Sequence, residues 1–234
     1  MKKWMVIFLV AASLGSLATA HDVWLVNKGS YAELQYGHEI PEVYNPAKVV
    51  EYRGFDASGA AIALKTVPLP QSFGIVPDPK AVAVTVVLDN GYWIATSTSS
   101  EWKNVSLETA RRFSEYSNPI KYHKSLYRWS DRMAKPLGLR FEIIPLKNPF
   151  TLKPGQSLPI QVLIEGKPDS GADVEYGLHG DKAPTVKTDN QGRASIPIQS
   201  KGEQFIAVDY KVPVTDAGEK LRTSYATSLR YELP

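Results

Sequence analysis

Short alternating runs of apolar and polar residues, broken every few positions by turn chemistry, dominate the chain after residue 20. The apolar run 23–26 and residues 31–36 read as two short strands, and Asn27-Lys28-Gly29-Ser30 between them is turn chemistry. Residues 48–55 and 62–66 read as strands around the turn Asp56-Ala57-Ser58-Gly59. Four prolines (Pro68, Pro70, Pro77, Pro79) make 68–79 a loop. Residues 82–88 and 92–97 flank Asp89-Asn90-Gly91, where Asn and Gly tolerate positive φ, and predict a hairpin.

The period then changes. Ser106 is placed to cap a short helix running to about residue 116, with Glu108 in its first turn. Asn118-Pro119 restarts a second helix, in which Tyr122, Leu126, Trp129 and Met133 form an apolar stripe. Lys121, Lys124, Arg128 and Arg132 fall on a second face, expected to be basic and solvated. His123 stands beside those lysines, whose charges oppose a bound cation, so a surface or helix-packing role is expected. Pro136-Leu137-Gly138 ends the helical segment, which covers about 106–134.

From residue 139 seven short strands follow, at 139–145, 158–165, 172–178, 185–188, 194–198, 204–210 and 224–231. Such punctuation is the pattern of an immunoglobulin- or transthyretin-like β-sandwich. The fold class expected is therefore mainly β. An N-terminal β-rich, sandwich-like domain (21–138) with a short helical insert precedes a C-terminal sandwich (139–234). Trp93, Trp102 and Trp129 are assigned to core or interdomain packing.

Residues 1–20 differ from the rest. Lys2 and Lys3 precede an uncharged apolar run, and Ala18-Thr19-Ala20 supplies the small residues of a peptidase site. This is a secretory signal pattern, with an apolar run too short to span a bilayer. Of the formal net charge of +3, two units lie in Lys2 and Lys3, leaving +1 after cleavage. No dense Lys/Arg block points to nucleic acid. The absence of cysteine excludes disulfides, thiolate metal sites and cysteine nucleophiles. The expected location is periplasmic, without membrane insertion.

Cleavage after Ala20 makes His21 the first residue. Its free amine, with a pKa near ~8, and its imidazole then offer two nitrogen donors on one residue. Such donors suit nickel, cobalt, copper or zinc. If residues 23–36 form a hairpin, His38 arrives at the same end, and Asp22 or Glu39 supplies an oxygen donor or a tautomer-fixing acceptor. The plain alternative is a surface loop histidine at His38, with solvated carboxylates. His179 reads as a loop residue.

His21-Asp22-Val23-Trp24-Leu25 directly after a signal, Tyr36-Gly37-His38 and Lys121-Tyr122 form an ordered set. Lys135 to Leu139, Glu142 to Leu146, Leu152 to Gly155, Val162 to Pro168 and Thr188 to Arg193 extend it. Together they resemble an uncharacterised periplasmic family described as a nickel or cobalt uptake component. That resemblance implies a protein delivering a divalent metal to a membrane uptake transporter, with His21 and His38 as ligand candidates. The residues themselves give no signal of catalysis, and the reading is non-catalytic. Gly-x-Ser-x-Gly, His-Glu-x-x-His and phosphate-cradling glycine loops are absent. Two other readings stand beside it: a metal-free interaction protein of two sandwiches, and a copper-dependent polysaccharide monooxygenase built on the N-terminal histidine.

Overall fold

The computed structural model describes residues 21–38, 40–95, 102–177, 183–214, 216 and 218–234. The proposed signal, Glu39 and His179 lie outside these residues. The N-terminal strands are β1 (Asp22–Asn27), β2 (Ala32–Gly37), β3 (Val49–Phe55), β4 (Ala61–Ile62), β5 (Lys65–Pro68) and β6 (Phe73–Val76). They are followed by β7 (Ala83–Asp89), β8 (Tyr92–Ala95), β9 (Trp102–Val105), the one-turn helix α1 (Leu107–Ala110) and β10 (Tyr116–Leu126). After these come β11 (Phe141–Pro145), β12 (Ser157–Ile164), β13 (Lys167–Pro168) and β14 (Asp173–Gly177). The last four are β15 (Thr185–Lys187), β16 (Arg193–Pro197), β17 (Gly202–Lys211) and β18 (Leu221–Leu233). The mainly β, sandwich-like architecture is thus what the alternation predicts.

Three sheets stack in layers. The outer sheet of the N-terminal half has the order β1-β2-β6-β5, and that of the C-terminal half is β11-β12-β13 with β16 beside β12. Between them runs a 10-stranded sheet, β15-β14-β17-β18-β10-β7-β3-β4, with β8 and β9 attached through β10. Residue 138 separates the two outer sheets, whereas the central sheet draws strands from both sides of it. Its seam is the parallel pairing of β10 with β18, Tyr116 to Ser125 opposite Leu221 to Arg230.

Alternation on the central strands divides the core. Tyr122, Leu126, Ile206, Val208, Leu229 and Tyr231 face the C-terminal outer sheet and pack with Phe141, Ile143, Ile160 and Val162. On the other face, Val84, Val86 and Leu88 of β7 meet Val23, Leu25, Leu34, Tyr36 and Ile75. Phe205 and Ala207 take up Trp24. At roughly 1.5–3 kcal/mol for each large apolar side chain buried, these two interfaces dominate the fold's stabilisation.

Several expectations are corrected. The segment 106–134 is helical only at α1, which Ser106 caps by accepting from Thr109 N–H at 3.2 Å, and in a 3-10 turn at Asp131–Ala134. Between them β10 is a strand buried on both faces. Tyr122 and Leu126 are four apart, an even spacing that shares a face in a strand as well as in a helix. Lys121 and Lys124 are three apart, so the strand sends them to opposite faces, and both are buried (2% and 1% exposed) rather than solvated.

Nor do β7 and β8 form a hairpin. Both run antiparallel to β10, through Asp89 opposite Ile120 and Trp93 opposite Ser117. Asp89-Asn90-Gly91 is a bend between them, clasped by the Asn118 amide, which donates to Asp89 Oδ1 (2.8 Å) and the Gly91 carbonyl (3.1 Å). Trp102 is 57% exposed, outside the packing role expected of it, while Trp129 packs partly on the core. Among the described residues no helix is long and apolar enough to cross a membrane.

Candidate metal centre

β1 and β2 pair antiparallel, with Asp22 opposite Gly37. One step further along that register, His21 falls opposite His38, as the predicted hairpin requires. The two imidazoles meet with ring centroids 4.4 Å apart and planes 40° to one another. His21 also stacks on Tyr36 at 4.9 Å and 9°. Its Nε2 lies 2.8 Å from Glu42 Oε1, and its side chain is 35% exposed, so the cluster opens to solvent.

Glu42 arrives because the chain doubles back after β2. Gly37 adopts φ +134, bridges to Pro41, and leaves the Tyr36 carbonyl to accept from Glu42 N–H at 2.7 Å. A Cβ at Gly37 would lie 2.9 Å from the Ile40 carbonyl oxygen and 3.2 Å from Glu42 N. Gly37→Ala is therefore expected to cost about 2 kcal/mol and to loosen the loop that carries Glu42. Gly29, at φ +84 with nothing near the position of a Cβ, is the control. Gly29→Ala should lower the urea midpoint less than Gly37→Ala.

Beneath the cluster, Tyr36 is held from the other side. Its hydroxyl accepts from Asn90 Nδ2 at 2.9 Å, and Asn90 Oδ1 accepts from Lys48 Nζ at 2.8 Å. The Lys48 ammonium sits 5.2 Å from the centre of the Trp93 ring, whose Nε1 donates to the Asn90 carbonyl at 2.9 Å. Burial pushes the Tyr36 phenol up to about 12; Asn90 opposes that shift and the Glu42 charge adds to it. Tyr36 is thus a neutral, fixed platform at neutral pH. Burial holds the Lys48 ammonium below its ordinary range, opposed by Asp89.

The predicted site residues separate cleanly. His21 and His38 come together. Asp22 directs its charge elsewhere, raising the buried Lys121 ammonium together with Asp209, against a larger lowering by burial. Glu42, which sequence reasoning passed over, is the carboxylate that touches His21. Its nearest signal was Pro41 and Pro46, which enforce a compact loop after His38. His123 is neither exposed nor in a helix: it lies fully buried on β10. Among the described residues no three of His, Cys, Asp and Glu converge closely enough to enclose a cation by themselves.

An uncharacterised protein of Haemophilus influenzae is 28% identical over 227 residues, covering 95% of each chain. No solved structure matches. The sequence profile of a family described as a domain of unknown function, DUF4198, matches residues 18–212, spanning both outer sheets and most of the central one. The chain belongs to the DUF4198 family.

Proposed function

We propose that this protein is a periplasmic, non-catalytic carrier of a divalent transition metal, nickel or cobalt, which it passes to a membrane uptake transporter. The observation that carries the reading is the meeting of His21 and His38 at 4.4 Å over a rigid tyrosine platform. Cleavage after Ala20 adds the His21 amine to that pair. Three neutral nitrogens from two residues would then hold the ion, with far less ordering entropy than three separate side chains. Glu42 supplies a negative charge 2.8 Å from the His21 ring and orients it as an acceptor of its N–H. The 35% exposure of the His21 side chain suits a cargo that is loaded and released.

Calorimetric titration of protein beginning at His21 with Ni²⁺, Co²⁺, Cu²⁺ and Zn²⁺ tests the reading. Tight 1:1 binding is expected, weakened about 100-fold by His38→Ala or by one extra residue ahead of His21. Absence of binding, or affinity indifferent to both changes, overturns it. Selectivity must come from the acceptor or the supply of metal, because nitrogen donors alone favour copper over nickel and cobalt.

A further inference from the structure

β1 is the outermost strand of its sheet, with β2 on one side only. The groups on its other edge would ordinarily face water or invite another chain. Two of them instead find side chains of the central sheet. Leu25 N–H donates to His123 Nε2 at 3.1 Å, and the Val23 carbonyl accepts from Ser228 Oγ at 2.6 Å. His123 Nδ1 and Ser228 Oγ lie 2.8 Å apart, on residues directly opposite in the β10–β18 register. An imidazole and a hydroxyl therefore stand where a neighbouring strand would be.

The hydrogens can be assigned. Ser228 gives its one hydroxyl hydrogen to the Val23 carbonyl, so toward His123 it acts as an acceptor, and Nδ1 carries the imidazole proton. Nε2 is then the acceptor that Leu25 N–H needs, shared with the Ser125 hydroxyl at 2.8 Å. His123, Ser125 and Ser228 are 0–2% exposed. Polar groups held so deep are costly unless each is satisfied, and here the partners belong to β1. Lys121, two residues earlier on the same face of β10, adds a buried ammonium acted on by Asp22 and Asp209.

We infer that His123 and Ser228 are positioning residues that clamp the outer edge of β1 and so hold His21 against Tyr36 and His38. His21 lies two residues from Val23 and four from Leu25, too short a lever to remain in place once that edge is released. The inference rests on the proposed role of His21 as a metal ligand, and it explains how a chain terminus, which ordinarily frays, can serve in a defined site.

The test uses the protein beginning at His21, with Cu²⁺ as a paramagnetic probe and amide hydrogen exchange at Leu25. His123→Leu and Ser228→Ala are expected to speed Leu25 exchange at least tenfold. They should also shift or broaden the Cu²⁺ electron paramagnetic resonance spectrum, although neither residue touches the ion. His123→Gln, which offers both an acceptor and a donor, should restore the wild-type spectrum. If His123→Leu does not fold, Ser228→Ala alone decides. Unchanged spectra and unchanged Leu25 protection in the folded variants overturn the clamp. A wild-type protein that binds no metal removes the carrier reading instead, and the clamp then stands or falls on Leu25 exchange.

Discussion

Lys124→Met is expected to cost about 3–5 kcal/mol of folding stability, the largest loss of any single substitution considered. Lys124 and Glu142 are each 1% exposed and meet at 2.5 Å, joining β10 of the central sheet to β11 of the C-terminal outer sheet. Neither charge stands alone. Lys124 Nζ also donates to the Ile143 carbonyl at 2.9 Å. Glu142 accepts from the amides of Leu137, Gly138 and Leu139 at 2.9–3.2 Å, closing the turn that precedes β11. Removing the lysine leaves a carboxylate buried with amide dipoles but no cation. Glu142→Gln should cost a similar amount, by stranding the ammonium. Because each single change is penalised chiefly for the charge it abandons, the double variant Lys124→Met, Glu142→Gln should recover at least about half of the summed loss. Urea midpoints of the four proteins measure this directly; strictly additive losses would refute it.

That ion pair also marks where sequence reading stops. Strands away from β10 were legible where a turn of local chemistry bounds them: β1 and β2 around Asn27 to Ser30, β12 after Lys153 to Gly155, β15 and β16 around Asp189 to Gly192. β10 carries Lys121, His123 and Lys124 in its middle, which no buried strand needs for its own sake. Their partners are Asp22, Asp209, Ser228, Leu25 and Glu142, drawn from four other strands and up to 105 positions away. Local periodicity holds no trace of such partners, so polar residues on a central strand resemble the wet face of a helix. The bend at Asp89 to Gly91 fails for the same reason. Its turn chemistry is real, but Asn118, 27–29 residues away, decides that the chain continues along β10 instead of folding back on β7.

Legibility of the site follows the same rule. His21 and His38 are brought together by the register of a single hairpin, which is a local property, and counting along the two strands suffices to align them. Glu42 comes from a loop whose return depends on the φ of Gly37 and one backbone hydrogen bond. Neither is visible as a pattern. Asp22, adjacent to His21 in sequence, acts on the buried Lys121, whereas the carboxylate 2.8 Å from the His21 ring is that of Glu42, twenty-one positions away.

On the acid side, His123 should cost the fold about 1.4 kcal/mol per pH unit between roughly pH 6.5 and pH 3. Burial, with Arg230 adding to it, lowers this imidazole from 6.5 to about 3. The sign follows from proton counts. In that window the unfolded chain has bound the proton and the folded chain has not, so stability rises with pH. The contribution is complete above 6.5, is lost as pH falls toward 3, and changes no further below that. Its full size is on the order of 5 kcal/mol. A neutral imidazole is what the geometry demands, since a proton on Nε2 would confront Leu25 N–H, with the Arg230 guanidinium as a further unfavourable charge. Urea unfolding at pH 7, 5.5 and 4.5 isolates the effect when wild type is compared with His123→Gln. Titrating carboxylates contribute to both proteins and cancel, leaving a gap that narrows by about 1.4 kcal/mol per unit as the pH falls. Parallel stability curves would mean that His123 is not the buried proton acceptor on which the placement of β1 depends.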